Sequence, residues 1–69
     1  MVTQEYARRH IAELFPQWRA GRPDNRNHLD FWFWLRSEHP HLCGFRCQGY
    51  ADRKMRHWVL QRFGSVFDV

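Results

Sequence analysis

Apolar and polar positions follow a helical rhythm near both ends of the chain and lose it in the middle. After Thr3, residues Ala7, Ile11, Leu14, Phe15 and Trp18 fall within about 100° of arc at helical pitch. Arg8, Arg9, Ala12 and Glu13 lie opposite, the signature of an amphipathic helix. Thr3 suits its N-cap, with Gln4 and Glu5 in the first turn and Glu5 spaced to pair with Arg9. Pro16 has no N–H to offer Ala12 and biases Phe15 away from helical angles, so a break or kink is expected near Phe15, followed by a short turn carrying Trp18 to Ala20.

In the middle the chain reads Leu-Asp-Phe-Trp-Phe-Trp-Leu from Leu29 to Leu35. As a helix, the four rings Phe31 to Trp34 span about 300° of arc and need cover from several directions. As a strand they would need cover on both faces. A helix is favoured because Asn27 is a good N-cap, Asp30 and Arg36 suit the two ends of the helix dipole, and Pro40 stops it. The pattern therefore predicts an aromatic central helix packed between the other elements, with one of Trp18, Trp32, Trp34 or Trp58 left at the surface.

The rhythm returns after Gly49. Ala51, Met55, Trp58, Val59 and Phe63 occupy an arc of about 140°, with Arg53, Lys54, His57 and Gln61 opposite and Arg56 at the boundary. The last helix should run from Tyr50 to Phe63 and end at Gly64. The segments between helices hold the turn formers. Residues 21 to 26, Gly-Arg-Pro-Asp-Asn-Arg, read as a mobile basic loop without an apolar anchor. Residues 39 to 48 read as an irregular connection, since Pro40 and Gly44 forbid a long helix. The expected fold is one mainly α domain over residues 1–69, three helices with room for a short two-stranded β element formed by residues 45–47 and 66–69.

Composition sharpens this picture. A chain of 69 residues is near the size at which one core barely offsets chain entropy of roughly 1.5 kcal/mol per ordered residue. Six Phe, four Trp and two Tyr answer with large buried area per residue, and uncovered apolar surface leaves a homodimer open. No run approaches the roughly 18 apolar residues of a membrane span, and the first residues lack the apolar core of a signal peptide. A soluble, cytoplasmic protein is expected. The net charge is +4, and Lys54 is the sole lysine among eleven basic residues. Arg-rich excess suits phosphate, because the guanidinium fork binds oxygens in pairs and stacks on bases.

Four chemistries can be drawn from these residues. Arg53, Lys54, Arg56 and His57 form a basic helix face that Arg22 and Arg26 in the preceding loop could assist, in the manner of proteins that lay a helix against nucleic acid. Three helices with a basic third resemble the general plan of helix-turn-helix DNA-binding domains. The connection from Glu38 to Gly49 is about ten residues, however, far beyond the three or four of that turn, so no family is assigned. His39, His41, Cys43, Cys47 and His57 supply five potential zinc ligands within 19 residues, but the Cys-x3-Cys pair lacks a second close pair. The two cysteines are expected as reduced thiols. Ser37 with His39, or Cys47 with His57, lacks the third orienting group and the pocket that an active nucleophile needs, so no enzyme and no cofactor is expected.

The leading expectation is a small, basic, non-enzymatic module that contacts DNA or RNA through the C-terminal helix. The alternative is a protein-directed inhibitor or adaptor of the kind phages and plasmids make against host machinery, CRISPR effector complexes included, which would bind a host protein or nucleoprotein. That analogy rests on size and composition. The terminal Phe67-Asp68-Val69 also has the form of a ligand for a carboxylate-capturing groove.

Overall fold

Helix α1 spans Gln4–Ala20 and starts where Thr3 Oγ1 accepts a 3.1 Å hydrogen bond from the Tyr6 N–H. The computed structural model describes residues 2–67. Ala7, Ile11, Phe15 and Trp18 are buried and Leu14 half-buried, as the apolar stripe requires. Arg8 rather than Arg9 takes the Glu5 carboxylate, at 2.8 Å and i,i+3 spacing.

The break expected at Pro16 does not occur. Pro16 lies inside a continuous α1, with the buried Phe15 and Trp18 on either side of it. Its ring is exposed, and it lines the same open groove as Ala12, the residue whose carbonyl it leaves without a helical donor. Water can reach that carbonyl, so the local cost is small against the burial of two aromatic side chains. Pro16→Ala restores a helical donor at an exposed site. Denaturant unfolding is expected to show a gain of about 1–2 kcal/mol, less than the roughly 3 kcal/mol propensity difference because the freed unfolded chain offsets part of it. An unchanged or lower midpoint would mean that the proline ring is itself packing usefully.

Helix α2 spans His28–Glu38. Asn27 Oδ1 accepts from the Leu29 N–H at 2.9 Å, and Asn25 Nδ2 donates to Asp30 Oδ2 at 3.1 Å. After α2 the chain makes one 3-10 turn, Pro40–Cys43, where an irregular connection was expected, and this turn buries Leu42. Helix α3 spans Ala51–Phe63, with Tyr50 as N-cap. Gly64 ends it at φ 85°, ψ −155°, a conformation essentially restricted to glycine.

Helix α3 is the shared partner of this fold: α1 and α2 each pack against it and against the 3-10 turn. Between α1 and α2 the link is made by rings instead of close backbone approach. Phe31 of α2 lies 5.3 Å from Phe15 and 5.1 Å from Trp18, centroid to centroid. Phe67 completes the cluster at 5.3 Å from Phe15, and Phe45 links Trp32 (6.4 Å) to Trp58 (4.9 Å). The expected sandwich around α2 is thus corrected: bulky rings hold the α1 and α2 axes apart, while the smaller Met55 and Val59 let α3 come close. Of the run Phe31 to Trp34 the ring left outside is Phe33, 56% exposed, and not a tryptophan; Trp18, Trp32 and Trp58 are buried and Trp34 half-buried.

The two-stranded element does not form among the described residues, and Asp68 and Val69 of the expected terminal segment lie outside them. Phe45 and Phe67 are both pulled into the core rather than paired across a ladder. The Arg46 carbonyl accepts from Gln4 Nε2 at 2.6 Å, and the Val66 N–H donates to the Gly64 carbonyl at 2.8 Å. No helix among the described residues is long and apolar enough to cross a membrane.

Candidate nucleic-acid interface

Residues 50, 53, 54 and 57 are spaced i, i+3, i+4, i+7, which on a helix is one stripe. Because Met55, Trp58 and Val59 are held in the core, Tyr50, Arg53 and His57 of that stripe are exposed and Lys54 lies half-buried at its edge. The stripe forms, with Gln48 and Gly49, a pocket of about 360 Å³ lined by Tyr50, Arg53, Lys54 and His57. The Arg53 guanidinium sits 5.2 Å from the Tyr50 ring centroid, a cation–π contact that orders both side chains. Among the described residues, Arg53, Lys54 and His57 form no ion pair with an acid.

Asp52, the acid closest to them in sequence, is drawn to the other flank of α3. Its Oδ2 lies 3.9 Å from His28 Nε2. Burial, reinforced by the nearby Arg56 charge, holds His28 below the usual histidine range; the Asp52 carboxylate pulls the other way without offsetting them. His28 is therefore neutral at pH 7 and the contact is then no ion pair. A histidine with a depressed folded pKa contributes stability that is complete above its unfolded value of 6.5 and is lost as pH falls below it. Thermal unfolding at pH 7.5 and pH 5.5 should show a lower Tm at the acid end, and His28→Gln should shrink that difference. An equal drop in the variant would place the acid sensitivity elsewhere.

The six basic residues singled out in the sequence thus separate. Arg53, Lys54 and His57 come together at the N-terminal half of α3, with Arg53 and His57 exposed and Lys54 half-buried, while Arg56, also half-buried, lies on the His28 side. Arg22 and Arg26 are exposed but committed to backbone. Arg22 Nη1 donates to the Trp18 carbonyl at 3.4 Å, with its guanidinium 5.7 Å from the Trp18 ring. Arg26 Nη1 donates to the Ser65 carbonyl at 3.5 Å, and Arg19 bridges the carbonyls of Pro23 and Val66 at 3.0 and 3.2 Å. The loop expected to be mobile is tied by its arginines to α1 and to the segment after α3.

Compared with known proteins, the chain matches no family model, no curated protein and no solved structure. The reading of this face therefore rests on its geometry.

Other concavities carry a different character. A groove of about 590 Å³ between α1 and α3 mixes Arg8, Arg9 and Arg62 with Glu5 and Glu13, and Glu5 is already paired to Arg8. An apolar depression of about 510 Å³ lies by Phe15, Pro16, Ala20, Pro23 and Phe63. The potential zinc ligands are not assembled: among the described residues no group of three or more His, Cys, Asp or Glu could hold a metal ion. His39 and His41 lie 6.2 Å apart with His39 turned against Trp34 at 5.4 Å. Burial pushes the Cys43 thiol up to about 11, which leaves it protonated and a poor nucleophile at neutral pH. The Cys47 thiol donates to the Gly49 carbonyl at 3.8 Å.

Tyr50 is the residue that sequence reasoning missed. It served there only as the start of the last helix, although its spacing to Arg53 and Lys54 was visible. Its exposure, 68%, needed the fold to be known.

Proposed function

We propose that this chain is a small, non-enzymatic binding module that contacts nucleic acid through the outward stripe of α3. Arg53 and Lys54 meet phosphate and His57 contributes a donor. Arg56 lies on the His28 side of the same helix, and Arg22 and Arg26 are held near Trp18 and Ser65, beyond the other end of α3, so none of the three forms this centre. The observation that carries the reading is the gathering of Arg53, Lys54 and His57 around one pocket, Arg53 and His57 exposed and Lys54 half-buried, while Asp52 is turned toward His28. Three donors with no acid partner among the described residues attract anions, and polyanions most, since each phosphate contact releases condensed counterions. Mobility-shift titrations with DNA and RNA at two salt concentrations test it. Retention that weakens steeply with salt supports the proposal, and no retention at low ionic strength ends it.

A second reading is favoured by a different feature. Leu29 and Phe33 are 39% and 56% exposed one turn apart on α2, an apolar pair of the sort a protein partner covers. In that reading the chain is an inhibitor or adaptor directed at a host protein or nucleoprotein. Capture of a defined nucleoprotein complex that is abolished by Phe33→Ser, and kept by the double variant Arg53→Ala, Lys54→Ala, would favour it over the first.

A further inference from the structure

We infer that the pocket at the start of α3 takes an unpaired nucleotide, the base stacked on Tyr50 and the flanking phosphates held by Arg53 and Lys54. The preferred ligand is then single-stranded RNA or DNA, not duplex. This deepens the nucleic-acid reading and rests on it.

Most rings of the molecule are buried; Tyr6, Phe33 and Tyr50 are 45%, 56% and 68% exposed, and of these three it is Tyr50 that has a guanidinium resting over it, among the described residues. Cations alone suffice for a duplex, whose bases are stacked on one another and present no free π face to a side chain. An exposed aromatic set among cations is useful for a strand whose bases are unstacked, where ring-on-base contact and phosphate contact act together. The Arg53 guanidinium lies one helical turn from Tyr50 and over one face of its ring, so a cation and a second ring face stand together where a base and its phosphate would sit. The volume of about 360 Å³ is near the lower end of the roughly 300–1,000 Å³ of small-ligand sites, a scale that suits one nucleotide unit better than a groove-long helix face. His57, exposed at the far end of the stripe, offers a second flat ring to the next base or a donor to its phosphate.

The test is fluorescence anisotropy at low salt with three labelled ligands of equal length: a single-stranded homopyrimidine oligonucleotide, a duplex, and an abasic strand. The single strand should bind more tightly than the other two. Tyr50→Ala should weaken single-strand binding by about 5- to 150-fold, the range for loss of one stacked base, and leave duplex and abasic binding and the Tm unchanged. Tyr50→Phe and Tyr50→Trp, which keep a π face, should retain it. Duplex binding as tight as single-strand binding, or indifference to Tyr50→Ala, overturns the stacking inference; the nucleic-acid reading survives if Arg53→Ala with Lys54→Ala still abolishes binding. No binding of any of the three ligands overturns both.

Discussion

Replacing Phe31 with alanine should remove about a third or more of the folding free energy, while the same replacement at Phe33 should leave stability within about 0.5 kcal/mol of the parent. Both residues sit in the one aromatic run of α2, two positions apart. Phe31 is fully buried and lies 5.3 Å from Phe15, 5.1 Å from Trp18, 6.0 Å from Trp34 and 6.3 Å from Phe67. It is the ring through which α2 holds both α1 and the segment after α3. Buried Phe→Ala changes cost about 3–5 kcal/mol, because the surroundings collapse only in part around the void. A domain of this length has on the order of 3–10 kcal/mol in total at typical stability per residue, so the loss is a large share of the whole. At about 4–8 °C per kcal/mol for a domain of this size, Tm should fall by at least about 12 °C, and the near-UV signal of the tryptophans should flatten. Thermal unfolding by circular dichroism decides it. A Phe31→Ala protein melting within a few degrees of the parent would show that the ring cluster does not organise the core.

Nucleic-acid affinity should fall with salt along a log–log slope of at least about −1.4, which is what two phosphate contacts, by Arg53 and Lys54, produce on a single strand. A fourfold rise in salt then weakens binding by about sevenfold, and any contact by His57 or the peripheral arginines steepens it further. The double variant Arg53→Ala, Lys54→Ala should flatten the slope by about 1.4 and weaken binding at every salt concentration. Arg22→Ala and Arg26→Ala should act mainly on stability, since their guanidiniums are engaged with the carbonyls of Trp18 and Ser65. A slope that responds to the loop arginines and ignores Arg53 and Lys54 would move the interface away from α3.

The helices were legible because their signals are local. Thr3, Asn27 and Gly64 stand at the ends they mark, and the apolar stripes of α1 and α3 are the faces found inside. Pro16 misled because its local cost is real but is outweighed by Phe15 and Trp18, whose burial depends on partners distant in sequence. The strand expected near residues 45–47 failed for a related reason. Isolated short apolar segments can either pair or plug a hole, and Phe45 finds its place between Trp32 and Trp58. The basic loop looked free since a sequence cannot show which carbonyls an arginine will reach.

The chain by itself determined three helices, their starts and the segregation of Arg53, Lys54 and His57 from the apolar face of α3, because helical periodicity and capping act over a few residues. Only the tertiary structure decided that α3 rather than α2 is the shared partner, that Arg22 and Arg26 are tied to backbone, and that Tyr50 stands exposed beside the cations while Phe31 does not. Those outcomes turn on volume and reach. In the aromatic run every position is apolar, so pattern cannot rank the rings, and it is the space left between packed helices that selects which one goes inside.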